Sequence, residues 1–121
     1  MHGLQLTGDL SDCRCPPERL RDADGLREFC LAAVAAAGLT PVGSLFHRFE
    51  GAAGITGVVL LAESHLAVHT WPERDAATFD IYVCNFGADN SGRARTLEQA
   101  LIGHFAPGRI DSHALTRGAG S

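Results

Sequence analysis

The sequence predicts an α+β fold, a two-layer sandwich in which a largely antiparallel sheet carries two helices on one face. Apolar residues recur at helical spacing in two stretches, several strand-like runs lie between them, and a further strand-like run stands outside each helix. The resulting order is β-α-β-β-β-β-α-β. Leu4 to Asp9 reads as an outer strand. In the first helix Leu26, Phe29, Cys30, Ala33, Val34 and Ala37 share a face, with Asp24 as the candidate N-cap and Gly38 as the stop. Pro41 to Phe49 and Ile55 to Ala62 are the next strands, joined through the tight loop Gly51-Ala52-Ala53-Gly54. Leu66 to Trp71 and Thr78 to Cys84 complete the central set. The second helix fits Gly92 to Phe105, where Ala94, Leu97, Leu101 and Phe105 line one side after an Asn90-Ser91 start. Arg109 to Thr116 reads as the second outer strand.

At 121 residues the chain is expected to form one domain, 1–121, able to build one sizeable core. Apolar residues make up 45% and charged residues 20%, ordinary for a globular protein, and the net charge of −4 suggests neither a nucleic-acid nor an anionic membrane partner. All ten basic residues are arginine. The absence of lysine excludes a P-loop phosphate lysine and any cofactor or substrate held on a lysine Schiff base, pyridoxal phosphate included. The Ala-rich run Leu31 to Ala37 is far short of the ~20 residues of a membrane span. The N-terminus lacks the basic and apolar segments of a secretory signal, so a cytoplasmic protein is expected. Cys13, Cys15, Cys30 and Cys84 are irregularly spaced, which argues against a disulfide framework. Cys13-x-Cys15 reads as two loop thiols before Pro16-Pro17, with no second pair at zinc-site spacing, so no metal is expected.

Strand parity separates two faces. Ile55, Val59, Leu61, Leu66, Val68, Phe79, Ile81 and Val83 are apolar and fall beneath the helices. Thr56, His65, His69, Trp71, Thr78, Asp80, Tyr82 and Cys84 occupy the other face, too polar for a core and too aromatic for a plain solvent face. Such a face suits a partner surface, a site, or both.

Taken alone, Glu63-Ser64-His65 is a polar turn between strands. The hairpins give it neighbours. One centred on Pro72-Glu73-Arg74-Asp75 brings Ser64 to Cys84, and one centred near Glu63 brings Thr56 to His69. The five strand residues from Ser64 to His69 span roughly 16 Å, whereas a hydrogen bond needs about 3 Å. Unless the strand bends sharply, His69 serves another copy of the chain, as a two-fold dimer with two composite sites would allow.

The segments Ala62-Glu63-Ser64-His65-Leu66, His69-Thr70-Trp71-Pro72-Glu73 and Asp80-Ile81-Tyr82-Val83-Cys84, with Phe46-His47-Arg48-Phe49 and the Gly57 strand, resemble the bacterial and archaeal S-adenosylmethionine decarboxylases. The resemblance runs over most of the chain. It implies a proenzyme that cuts itself between Glu63 and Ser64 into a β chain, 1–63, and an α chain, 64–121, which Ser64 opens as a pyruvoyl group. It further implies His69 as the processing base, Thr56 as its support, and Cys84 as an aid to processing and the later proton donor. The pyruvoyl carbonyl would take the substrate amine as a Schiff base and act as electron sink for decarboxylation. Phe49, Leu66, Trp71 and Glu73 are the implied substrate contacts, Phe49 by stacking on the base and Glu73 by holding the ribose hydroxyls. A homodimer with composite sites and a role in spermidine biosynthesis belong to the same implication.

The chain departs from the family's Thr-Cys-Gly triplet, reading Val83-Cys84-Asn85-Phe86-Gly87 beside the substrate. This keeps L-ornithine or L-arginine open as alternative substrates for the same pyruvoyl chemistry. An inactive regulatory paralogue is the reading of another class, and the retention of Ser64, His69 and Cys84 argues against it.

Overall fold

The computed structural model describes residues 2–85 and 87–118. The elements are β1 (Gly3–Cys13), α1 (Ala23–Ala36), β2 (Pro41–Arg48), β3 (Ile55–Leu61), β4 (Ser64–Trp71), β5 (Ala76–Cys84), α2 (Ser91–Phe105) and β6 (Pro107–Arg117), with short 3-10 turns at Pro17–Leu20 and Pro72–Arg74. They form the expected α+β arrangement in the expected order. The strands make one six-stranded sheet, β2-β3-β4-β5-β1-β6, in which every neighbouring pair is antiparallel. Both helices pack on one side, α1 against β2 and β3, α2 against β1 and β5. Among the described residues no helix is long and apolar enough to cross a membrane.

Alternation fixes which side chains enter the core. Ile55, Val59, Leu61, Leu66, Val68, Phe79, Ile81 and Val83 are all buried between sheet and helices, where Leu26, Cys30 and Val34 of α1 and Leu97, Leu101 and Phe105 of α2 meet them. Burying a large aliphatic or aromatic side chain contributes about 1.5–3 kcal/mol, so this layer supplies most of the drive to fold.

Three expectations are corrected. The first strand is not an outer strand: β1 lies between β5 and β6, and it runs on to Cys13. Its core-facing residues Leu6 and Leu10 are buried, which a covered interior strand allows and an edge would not require. Cys13 is therefore a buried strand residue rather than a loop thiol, and burial raises its pKa to about 11. The cap of α1 is Asp22, not Asp24. Asp22 is still extended and its Oδ1 accepts the Gly25 N–H at 3.0 Å, whereas Asp24 is already helical and can serve only the dipole of the first turn. At the other end Gly38, at φ 83°, ends the helix as expected, with the Leu39 N–H donating back to the Val34 carbonyl at 3.0 Å.

His104, in the last turn of α2, stacks on Phe29 of α1 with ring centroids 3.8 Å apart and meets Phe105 edge-on at 5.0 Å. Its Nε2 has no hydrogen-bond partner. Arg19 donates to the His104 carbonyl at 2.9 Å, and Glu18 and Asp22 line the same small cleft. Burial, and secondarily the nearby Arg19 charge, lower its pKa from 6.5 to about 4. The folded state thus holds this imidazole neutral where the unfolded chain would protonate it. That contribution to stability is present above pH 6.5 and is lost as pH falls through about 4. His104→Phe keeps the ring stack and is expected to remove part of the acid sensitivity. Denaturant midpoints at about pH 7.5 and about pH 4.5 measure this, and an equal acid loss in both chains would refute it.

Candidate active site

The β3–β4 hairpin pairs Leu61 with Ser64 and leaves only Ala62 and Glu63 in its loop. Glu63 sits at φ 56°, in the left-handed region, which costs a residue bearing a side chain roughly 1–2 kcal/mol. The peptide joining Glu63 to Ser64 therefore lies at a strained, exposed corner. Ser64 opens β4 half-buried, and its Oγ accepts the Cys84 N–H at 3.1 Å. Cys84 closes β5, 7% exposed, and its carbonyl accepts a bond from Asn90 Nδ2 at 2.9 Å. Ser64 and Cys84 thus meet as the hairpins require, through the Cys84 amide.

The far end of β4 carries the second locus. Thr56 stands opposite His69 in the ladder, with its Oγ1 3.0 Å from His69 Nδ1. The Trp71 ring is tilted beside that imidazole at 5.8 Å. Phe49, Thr56, His69, Trp71 and Glu73 line one open cleft of about 230 Å³. Thr70 braces its floor: its buried Oγ1 accepts the Ile55 N–H at 3.0 Å and donates to the Leu20 carbonyl at 2.8 Å. Gly54, also lining the cleft, lies so close to this strand that a Cβ there would stand 2.8 Å from the Thr70 carbonyl oxygen.

Five of the expected site residues therefore share one cleft, while Ser64, Glu63 and Cys84 stand at the other end of β4. The strand does not bend to unite them, since its ladder with β3 runs unbroken from Ser64 to His69. Leu66 is corrected. Its side chain is fully buried on the helix side, so it is withdrawn from the expected pocket wall.

Between the two loci the open face carries a polar chain that the sequence reading did not assemble. Gln5 Nε2 donates to both carboxylate oxygens of Asp80, at 2.9 and 3.0 Å, and Arg117 donates to Gln5 Oε1. His65 Nε2 lies 4.0 Å from Asp80 Oδ1, its ring stacked on Tyr82 at 5.8 Å. Asp80, Tyr82 and His65 are visible by parity, but Gln5 and Arg117 join them only once β1 is placed between β5 and β6.

A sheet covered by helices on one side, with hydroxyl, imidazole, thiol and carboxylate groups on strands and loops of the other, defines the class as a small α+β enzyme. Residues 4–118 match the family profile described as S-adenosylmethionine decarboxylase. The chain is 38% identical over 116 residues to the S-adenosylmethionine decarboxylase proenzyme of Aquifex aeolicus (strain VF5), covering 96% of this chain and 81% of that one. It is 38% identical over 120 residues to the proenzyme of the same description from Symbiobacterium thermophilum, covering 99% and 86%. The crystal structure of the adenosylmethionine decarboxylase from Aquifex aeolicus superimposes with a TM-score of 0.86 at 34% identity, covering 98% of this chain and 92% of that one. The chain belongs to the S-adenosylmethionine decarboxylase family, a family of carboxy-lyases.

Proposed function

We propose that this chain cuts itself between Glu63 and Ser64 and, so processed, decarboxylates S-adenosylmethionine at a site shared by two copies. The observation that carries the reading is Ser64 itself, placed behind a left-handed Glu63 with a main-chain donor on its Oγ, in a chain of this family. Ser64 Oγ attacks the Glu63 carbonyl carbon. The new C–O bond replaces the C–N bond, the freed Ser64 amine takes the proton, and an ester results. The Cys84 N–H orients Oγ for this attack, and when the Cβ–Oγ bond later breaks it faces the oxygen that leaves as carboxylate. His69 then removes the Ser64 α-proton and the Cβ–Oγ bond breaks, which releases residues 1–63 with a free carboxylate. Water replaces the nitrogen, ammonia leaves, and residue 64 becomes the pyruvoyl end of 64–121. In the tautomer whose Nδ1–H donates to Thr56 Oγ1, 3.0 Å away, His69 Nε2 keeps the lone pair that a base requires.

Position 64 suits such a group, being half-buried at the head of a strand with the Cys84 amide as a ready donor to a carbonyl. Bound to the substrate amine, the pyruvoyl carbonyl supplies the electron sink for loss of carbon dioxide. Cys84 returns a proton to the decarboxylated carbon. Phe49 and Trp71 offer aromatic faces to the flat base and the sulfonium charge, and the exposed Glu73 carboxylate accepts bonds from the ribose hydroxyls. The separation of Ser64 from His69, roughly 16 Å along a straight strand, supports a homodimer in which each copy completes the other's site. The open sheet face offers the contact, since Leu45, Leu60 and Leu115 stand on it 71%, 50% and 48% exposed.

Carbon dioxide release by the purified, self-cleaved protein tests this against S-adenosylmethionine, L-ornithine and L-arginine. Release from the first is expected, and release from ornithine or arginine alone would overturn the substrate assignment. Glu73→Gln is expected to cut itself normally and to raise KM for S-adenosylmethionine by about 10- to 100-fold, the equivalent of one hydrogen bond to a charged group. An unchanged KM would remove Glu73 from the ribose.

A further inference from the structure

We infer that Asn90 is a positioning residue for self-cleavage, holding the peptide that follows Cys84 so that the Cys84 N–H, one Cα away, addresses Ser64 Oγ; this rests on the proposed cut before Ser64. Asn90 occupies the N-cap position of α2, where an asparagine side chain ordinarily accepts a bond from its own helix. Here it makes no such bond. Asp89 does that work instead, its Oδ1 accepting the Ser91 N–H at 2.9 Å. The released Asn90 amide turns back across the loop, and Nδ2 donates to the Cys84 carbonyl at 2.9 Å while Oδ1 accepts from Arg93 at 2.7 Å.

The residue is itself fastened. Its N–H donates to Asn85 Oδ1 at 2.8 Å, and Asn85 in turn donates through Nδ2 to Ser91 Oγ at 3.1 Å and through its N–H to the His2 carbonyl at 2.7 Å. Asn85 is the residue that follows Cys84. The peptide group that follows Cys84 is therefore tied at both ends, its carbonyl by the side chain of Asn90 and its N–H by a main-chain bond to His2, just before β1. Cys84 is the last residue of β5, so its carbonyl lies where the ladder ends and a side-chain donor takes over. Fixing that peptide plane limits rotation about the Cys84 Cα, and through it the direction of the Cys84 N–H that meets Ser64 Oγ.

Asn90→Asp separates this role from folding. The aspartate keeps an oxygen for Arg93 and remains a good N-cap, but it has no N–H for the Cys84 carbonyl and sets a carboxylate oxygen against it. Self-cleavage of the full chain, followed by intact mass, is expected to slow at least about tenfold, as small misplacements at a reacting centre do, with Tm near the parent's. A second measurement uses the uncut Ser64→Ala chain, where adding Asn90→Asp is expected to speed iodoacetamide labelling at Cys84 severalfold. Parent-like cleavage, slowing that merely follows a lost Tm, or unchanged labelling would overturn the inference. A parent chain that never cuts would sink the reading of the site instead, and the labelling experiment still decides whether Asn90 holds Cys84.

Discussion

Ser64→Ala is expected to remain one chain of 121 residues under conditions in which the parent resolves by intact mass into 1–63 and a pyruvoyl-bearing 64–121. The expected effect is all or none because, in the proposed cut, the hydroxyl supplies the attacking atom and residue 64 the new carbonyl. Strain at the corner cannot substitute for it. A left-handed Glu63 stores roughly 1–2 kcal/mol, and about 1.4 kcal/mol changes a rate only tenfold, far too little to cut a peptide bond unaided. The variant still folds. Its loss is the acceptor for the Cys84 N–H, a cost of about 1–3 kcal/mol for a donor left without a partner, set against a core that it does not touch. Carbon dioxide release is expected to vanish with the cut, since no lysine is present to offer another route to an amine-binding cofactor. A cut Ser64→Ala chain, or an uncut one that still decarboxylates, would refute both the processing site and the cofactor.

The part of this site that depends on alternation was legible in the sequence. A two-residue turn at Ala62-Glu63 leaves β3 and β4 one register, so the meeting of Thr56 with His69 follows from counting along the hairpin. The burial of Leu66 follows from the same count. Its expected place in the pocket wall came from resemblance and conflicted with its parity; parity prevailed because the pleat fixes the side chain's face whatever the family's contacts. What was not legible depends on pairing between distant segments. Nothing local in Leu4 to Asp9 states whether one neighbour or two will lie beside it. Only the return of β6 places Gln5 between Arg117 and Asp80. Asn90 is legible as a helix start, but its amide's partner is not, since that partner is decided by how the loop folds back on the end of β5.

Mixing two inactive chains gives the second large effect. Ser64→Ala and His69→Ala are each expected to stay whole when expressed alone, the first for lack of the nucleophile, the second because the ester forms but is not eliminated. Co-expressed in equal amounts as dimers with random pairing, about half of the His69→Ala chains have a Ser64→Ala partner, which carries the missing imidazole. Those chains, and only those, are expected to be cut, each mixed dimer holding one complete site of its two. If Ser64 and His69 of the same chain worked together, every site in the mixture would lack one of them and no chain would be cut. Intact mass separates the cases, because the two parents differ in mass and only the His69→Ala fragments are expected. A continuous ladder along β4 is the physical ground for the expectation: a strand that stays paired from Ser64 to His69 cannot fold its own ends together, so the proposed nucleophile and base are expected to meet across two chains.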